Sequence, residues 1–192
     1  MKHNRKKFLK LSAGIVGALA LSPGMKQFIQ DEDAEKLKTF GLQLYTVRDI
    51  FEKDPKGTLK QISGFGYKYL EGYERSKGIF WGMTNIEFKK YMDDLGMSFI
   101  SSHCDADKDF ERKVNEAAAI GMKYLIYAWE GPGKTLDDYK KMAEDFNRKG
   151  ELCKRNGTRF AFHNHYYSFQ KVGEEFPQDV LINNTDPALV DF

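Results

Sequence analysis

A parallel α/β fold built from βα units, as in a (β/α)8 barrel, is predicted by three features of the chain. Short apolar runs alternate with longer amphipathic ones, the runs start every 25 to 36 residues, and a glycine closes nearly every amphipathic stretch just before the next run. Strands are expected near 40–45 (FGLQLY), 68–73 (KYLEGY), 98–104 (SFISSHC), 123–129 (KYLIYAW) and 159–165 (RFAFHNH). Helices are expected over 58–64, 85–95, 110–120 and 136–156, with Thr84 or Asn85 and Thr135 as N-caps. Gly66, Gly96, Gly121 and Gly157 are the stops.

An eight-unit barrel needs about 250 residues. This chain of 192 residues supplies five units and opens a sixth apolar run at ALVDF, which stops at Phe192. The expected fold is therefore a TIM (β/α)8 barrel truncated after about five βα units. A five-stranded flavodoxin-like sheet would end on a helix rather than at the opening of a strand.

The first twenty residues carry Lys2, Arg5, Lys6, Lys7 and Lys10 and no acid, followed by an apolar stretch and Ala18-Leu19-Ala20. This pattern reads as an export signal peptide over 1–20, with 21–38 as a linker and 39–192 as the N-terminal part of the barrel. The apolar stretch is shorter than the roughly 20 residues a bilayer span needs, so no stable membrane span is expected. NRKKFLK resembles the twin-arginine export motif, with Arg5 and Lys6 in the twin positions, which implies a periplasmic protein. The 30 Lys and Arg against 28 Asp and Glu give +2 for the whole chain, but residues 21–192 hold 25 against 28, a net of −3. That balance argues against a phosphate-tracking nucleic-acid binder. Cys104 and Cys153 match no metal or CxxC spacing, leaving one disulfide or two free thiols open.

Side chains alternate along a strand, so one set faces the helices and the other the barrel interior. Phe40, Leu42, Leu44, Leu70, Phe99, Phe160 and Phe162 take the helix side. Gln43, Glu71, Tyr73, Ser101, His103, Ala161, His163 and His165 take the interior. The fourth strand is apolar on both faces and offers Trp129 at its end. Singly, each inward polar residue could be a satisfied core residue. Together, unpaired burial would cost about 1 to 3 kcal/mol for each group, which favours a site at the C-terminal end of the barrel. Imidazole and carboxylate there suit general acid/base work or a divalent metal. Tyr45 and Tyr166 are placed to line the same pocket, whereas GPGKT at 131–135 lacks the first glycine of a phosphate loop and reads as a turn with a helix cap.

Five stretches, GLQLYTVRD (41–49), GYKYLEGYE (66–74), SSHCD (101–105), FHNHYYSF (162–169) and TDPALVDF (185–192), carry a resemblance. They resemble the sugar phosphate isomerase/epimerase family of xylose isomerase-like TIM barrels, the AP endonuclease family 2 type. The resemblance implies proton abstraction next to the carbonyl of a sugar or keto-sugar, with Glu71 and His103 as catalytic residues. It also implies substrate contacts from Gln43, Tyr73, Trp129, Asn164 and His165, and a divalent metal (Mn, Zn, Co or Mg). His163 stands where many relatives place a glutamate ligand, and the remaining ligands are expected beyond residue 192, so the chain alone is expected to be inactive. The partner implied is a small carbohydrate, with a homo-oligomer left open, and export favours an unphosphorylated sugar or keto-glycoside. The competing readings are a catalytically inactive exported carbohydrate-binding barrel and a keto-sugar or keto-glycoside dehydratase or lyase.

Overall fold

The computed structural model describes residues 39–192; the expected signal peptide and linker lie outside the described residues. Six parallel strands follow one another in sequence order: β1 (Gly41–Gln43), β2 (Tyr69–Tyr73), β3 (Ser98–Cys104), β4 (Tyr124–Tyr127), β5 (Arg159–Phe162) and β6 (Val190–Asp191). This unpermuted order is that of barrel strands and not of a doubly wound sheet, whose order reverses at a switch point. The run at ALVDF is the sixth strand, pairing Phe160 with Val190 and Ala161 with Asp191.

Between the strands lie α1 (Arg48–Phe51), α2 (Pro55–Gly64), α3 (Asn85–Asp94), α4 (Phe110–Ala119), α5 (Leu136–Arg155) and α6 (Pro177–Asn184). Thr84 and Thr135 both close capping boxes, with Glu87 and Asp138 respectively. The first long helix starts three residues earlier than expected, because the Asp54 carboxylate accepts the Gly57 N–H and Pro55 fits the first helical turn. Gly66, Gly96, Gly121 and Gly157 all sit at positive φ, as left-handed helix stops require. The helix α6 was not foreseen.

The helix-facing row runs straight across the sheet: Leu125, Phe160 and Val190 are register partners and all are buried. Ser102 and Gly72 continue that row, Leu70 and Phe99 pair below it on the same face, and Phe88, Met92, Val114, Phe146 and Cys153 join the same core from the helices. Gly72 is required here, since a Cβ would overlap the Phe99 ring. Phe40 departs from the expectation: it is 37% exposed and packs edge-on against Tyr67, because β1 is only three residues long and begins after it. Cys104 and Cys153 are both buried and unpaired, which excludes the disulfide. Burial pushes both thiols up, Cys153 to about 11, so neither is a thiolate at neutral pH.

The interior face is layered. Gln43, Glu71, Ser101, Tyr124 and Arg159 form one row of register partners, and Tyr73, His103, Ile126, Ala161 and Asp191 the next. Among the described residues no helix is long and apolar enough to cross a membrane.

Candidate active site

The strands β1, β4 and β5 stop sooner than the sequence suggests. After Gln43 the chain turns into a 3-10 helix (Leu44–Val47), because the Gln43 side-chain oxygen accepts the Tyr45 N–H. His163 and His165 lie beyond the end of β5, although the His163 N–H still donates to the Tyr127 carbonyl at 3.0 Å. The two histidines therefore project from the C-terminal rim, not from strand positions. That loop places the His163 ring centre 4.9 Å from His103 and 4.8 Å from His165.

A cavity of about 820 Å³ opens over the C-terminal ends of β1 to β5. Six of the eight expected site residues line it: Gln43, Tyr73, His103, Trp129, His163 and His165. Glu71 and Asn164 do not. They line an adjacent cavity of about 500 Å³ on the interior face, in whose wall His163 also stands. Glu71 stands in the row one layer below that of His103, a row from which Gln43 still reaches the larger space.

Glu71 and His103 meet at the partition between the two cavities, with Oε1 and Nε2 3.3 Å apart. Ser101 donates its hydroxyl to Glu71 Oε2 at 2.7 Å. Burial alone would raise the Glu71 carboxyl, but the contacts with His103, Ser101 and Gln43 outweigh it and hold the group below its ordinary value. It is an ionised carboxylate at neutral pH. His103 Nε2 is itself buried, and Glu71 Oε1 is the polar atom it faces. Burial, then the neighbouring His103 and His165, lower His163, which keeps it a neutral imidazole.

Trp129, 59% exposed, forms one wall. It meets the His165 ring edge-on at 4.9 Å, and His165 stacks on Tyr167, whose hydroxyl accepts the N–H groups of Glu130 and Gly131 at 3.3 and 3.2 Å. An exposed indole held this way offers a flat apolar face. The opposite wall is Tyr45 with Tyr73, ring centres 5.2 Å apart. Burial raises the Tyr73 hydroxyl to about 12, so it stays a phenol, and its oxygen has no hydrogen-bond partner among the described residues. Tyr166 is exposed but not in the cavity wall. Lys134 of GPGKT is bound in an ion pair to Glu130 at 2.6 Å, and Thr135 caps α5, in keeping with a turn and not a phosphate loop.

Several wall residues escape a reading by strand parity. Glu74 and Asp105 follow the last residues of β2 and β3, Arg75 follows Glu74, and Arg48 opens α1 beyond β1. Position just after a strand end would have found them, since barrel sites are made there. Tyr127 was hidden by the apolar look of β4; its hydroxyl donates to Glu130 at 2.6 Å and contacts Asp107 at 3.2 Å. Among the described residues no three His, Cys, Asp or Glu side chains converge closely enough to hold a metal ion. The Glu71, His103 and His163 set does not by itself fit a divalent metal.

No family model and no curated relative matches the chain. Among solved structures it is similar to a sugar phosphate isomerase/epimerase from Parabacteroides distasonis, with 27% identity, a TM-score of 0.65, and coverage of 83% of this chain and 65% of that one. A second structure described as a sugar phosphate isomerase/epimerase from the same organism gives 26% identity, a TM-score of 0.69, and coverage of 80% and 67%. A xylose isomerase-like TIM barrel protein from Mycobacterium smegmatis, solved in complex with magnesium, shares the fold at 12% identity, with a TM-score of 0.52 and coverage of 72% and 55%. The chain spans about two thirds of the length of the two P. distasonis proteins.

Proposed function

We propose that the chain carries the proton-transfer half of a carbohydrate isomerase or epimerase site, a reading supported by its likeness to the two sugar phosphate isomerase/epimerase structures. The observation that supports it is the Glu71–His103 pair, an ionised carboxylate 3.3 Å from an imidazole at the cavity floor. In this reading His103, which lines the larger cavity, takes the proton from the carbon beside the substrate carbonyl. Glu71 orients the ring and stabilises the imidazolium that forms. The neutral His163 ring beside it supplies a hydrogen bond to the oxygen where enolate charge develops. Trp129 packs against the apolar face of the sugar ring.

The divalent metal implied by the family has no ligand set among the described residues, so no step is assigned to it. Bound through His163, it would need further ligands from outside residues 39–192. The N-terminal signal supports a site of action outside the cytoplasm.

The test is exchange of solvent deuterium into bound sugars, followed by NMR with the full-length protein. His103→Asn should lower exchange by about 10² to 10⁴, the usual contribution of a general base, and Glu71→Gln should lower it as well by leaving the ring without its partner. Equal exchange in His103→Asn and the parent would sink the assignment. Undiminished sugar binding with no exchange in the parent would favour the binding-barrel reading instead.

A further inference from the structure

Two arginines on the rim of the larger cavity have no part in the proton transfer described above. Arg48 opens α1 just beyond β1, and Arg75 follows the end of β2; both line the cavity. Arg48 Cζ lies 4.6 Å from the centre of the Tyr45 ring and Arg75 Cζ 5.9 Å from the same ring. Two like charges are thus gathered over one aromatic surface. Their local compensation is thin. Among the described residues Arg75 has a single ion pair, to Glu52 at 3.6 Å with both side chains 49% exposed, and Arg48 has none. The Arg48 guanidinium donates Nη1–H to the Tyr45 carbonyl at 3.0 Å, which fixes the group while leaving most of its donors open. Of the nearby wall acids Glu74 is paired with Lys113 at 2.7 Å, while Asp105 accepts the Asp107 N–H at 3.0 Å and forms no ion pair with either arginine.

We propose that this corner of the cavity is an anion subsite, in which Arg48 and Arg75 grip a carboxylate or phosphate group of the substrate across the Tyr45 ring. A guanidinium presents a planar fork of donors that matches two oxygens of either group, and the ring holds the fork in place. The subsite lies at the β1–β2 end of the cavity, with His103 on β3 between it and Trp129 beyond β4. A substrate spanning this distance carries its charged end at Tyr45, its reacting carbon at His103 and an apolar ring face at Trp129. The inference rests on the cavity being a carbohydrate site and narrows the substrate to a sugar acid or, against the expectation drawn from export, a sugar phosphate.

The experiment is calorimetric titration of the full-length protein with D-glucuronate, D-glucose 6-phosphate, inorganic phosphate and D-glucose. At least one anionic sugar should bind ten or more times tighter than glucose, and the stronger of the two names the group as carboxylate or phosphate. Arg48→Gln and Arg75→Gln should each weaken that probe roughly tenfold, as expected for losing a charge-assisted hydrogen bond, without changing glucose. Arg48→Lys keeps the charge but not the fork and should recover only part of the loss. Added sodium chloride should weaken the anionic probe and not glucose. The inference is overturned if glucose binds as well as both anionic sugars, if the preference survives in the Arg48→Gln/Arg75→Gln double variant, or if no anionic probe binds at millimolar concentration. Deuterium exchange reads Glu71 and His103, so its absence from the parent protein with the anion preference intact counts against the proton-transfer reading alone.

Discussion

Replacing Lys113 by methionine keeps the side chain's apolar stem and removes only its ammonium. That group is buried, with 3% of the side chain exposed, and bonds both Glu74 Oε2 and the Asp105 carbonyl at 2.7 Å. Glu74 Oε2 also accepts the Asp105 N–H at 2.8 Å, and the Glu74 N–H donates to the His103 carbonyl at 2.9 Å. One lysine thus ties the end of β2 to the end of β3 directly beside His103. Removing one member of a fully buried pair costs about 3 to 5 kcal/mol, because the other charge is left without compensation. Glu74 is 20% exposed, so water recovers part of this, and the expected loss is about 2 to 4 kcal/mol. Urea unfolding at neutral pH measures it, with an unchanged m-value showing that the folded and unfolded states are comparable. The double variant Lys113→Met/Glu74→Gln should recover about 1 kcal/mol or more, the coupling expected of groups in one network. A single variant within about 0.5 kcal/mol of the parent, the range of ordinary surface changes, would refute the idea that this lysine holds the strand ends together.

Gly150→Ala should destabilise by about 1 to 3 kcal/mol despite alanine's better helix propensity, because a Cβ would stand 2.6 Å from the Leu189 carbonyl oxygen; Gly64→Ala, in open space at the end of α2, should be neutral or stabilising in the same melt. His163 has a folded pKa below its ordinary 6.5, so the unfolded chain binds the extra proton. Stability should therefore rise with pH through the window below 6.5 and level off above it, and His163→Gln should flatten that slope in urea titrations at several pH values. Replacing Arg5 and Lys6 together by Gln should leave the protein in the cytoplasm, read by cell fractionation; unaltered export would show that the twin-position reading is wrong.

The sequence exposed most of the fold because each unit repeats the same local chemistry. Amphipathic stretch, left-handed glycine and short apolar run recur, with capping threonines at α3 and α5, at a spacing that suits a parallel α/β architecture. What it hid were features decided by single contacts. The Gln43 side chain cuts β1 short by capping the next turn, and α6 is held by Val180 and Leu181 in the core rather than by strong periodicity. The wall residues that follow strand ends were missed for a related reason. Alternation describes a strand only while it remains a strand, and Glu74, Arg75 and Asp105 sit where it has stopped.

The joining of Glu71 to His103 depends on a detail that no alternation rule contains. Leu70 pairs with Phe99, but Glu71 pairs with Ser101, so one residue on β3, Ile100, is left without a partner on β2. By simple alternation Leu70 and Glu71 would point to opposite faces, but Phe99 and Ser101 to the same one. In a regular ladder a helix-facing Phe99 beside Leu70 would put Ile100, not Ser101, beside Glu71. The carboxylate would lose its 2.7 Å hydrogen bond, and every later interior residue of β3 would be out of step with β2. The bulge at Ile100 absorbs the mismatch, letting both strands keep apolar residues toward the helices while Glu71, Ser101, Tyr73 and His103 share the interior. Reading each strand separately found those four residues on one face. Only the register between strands brings the carboxylate and the imidazole within 3.3 Å.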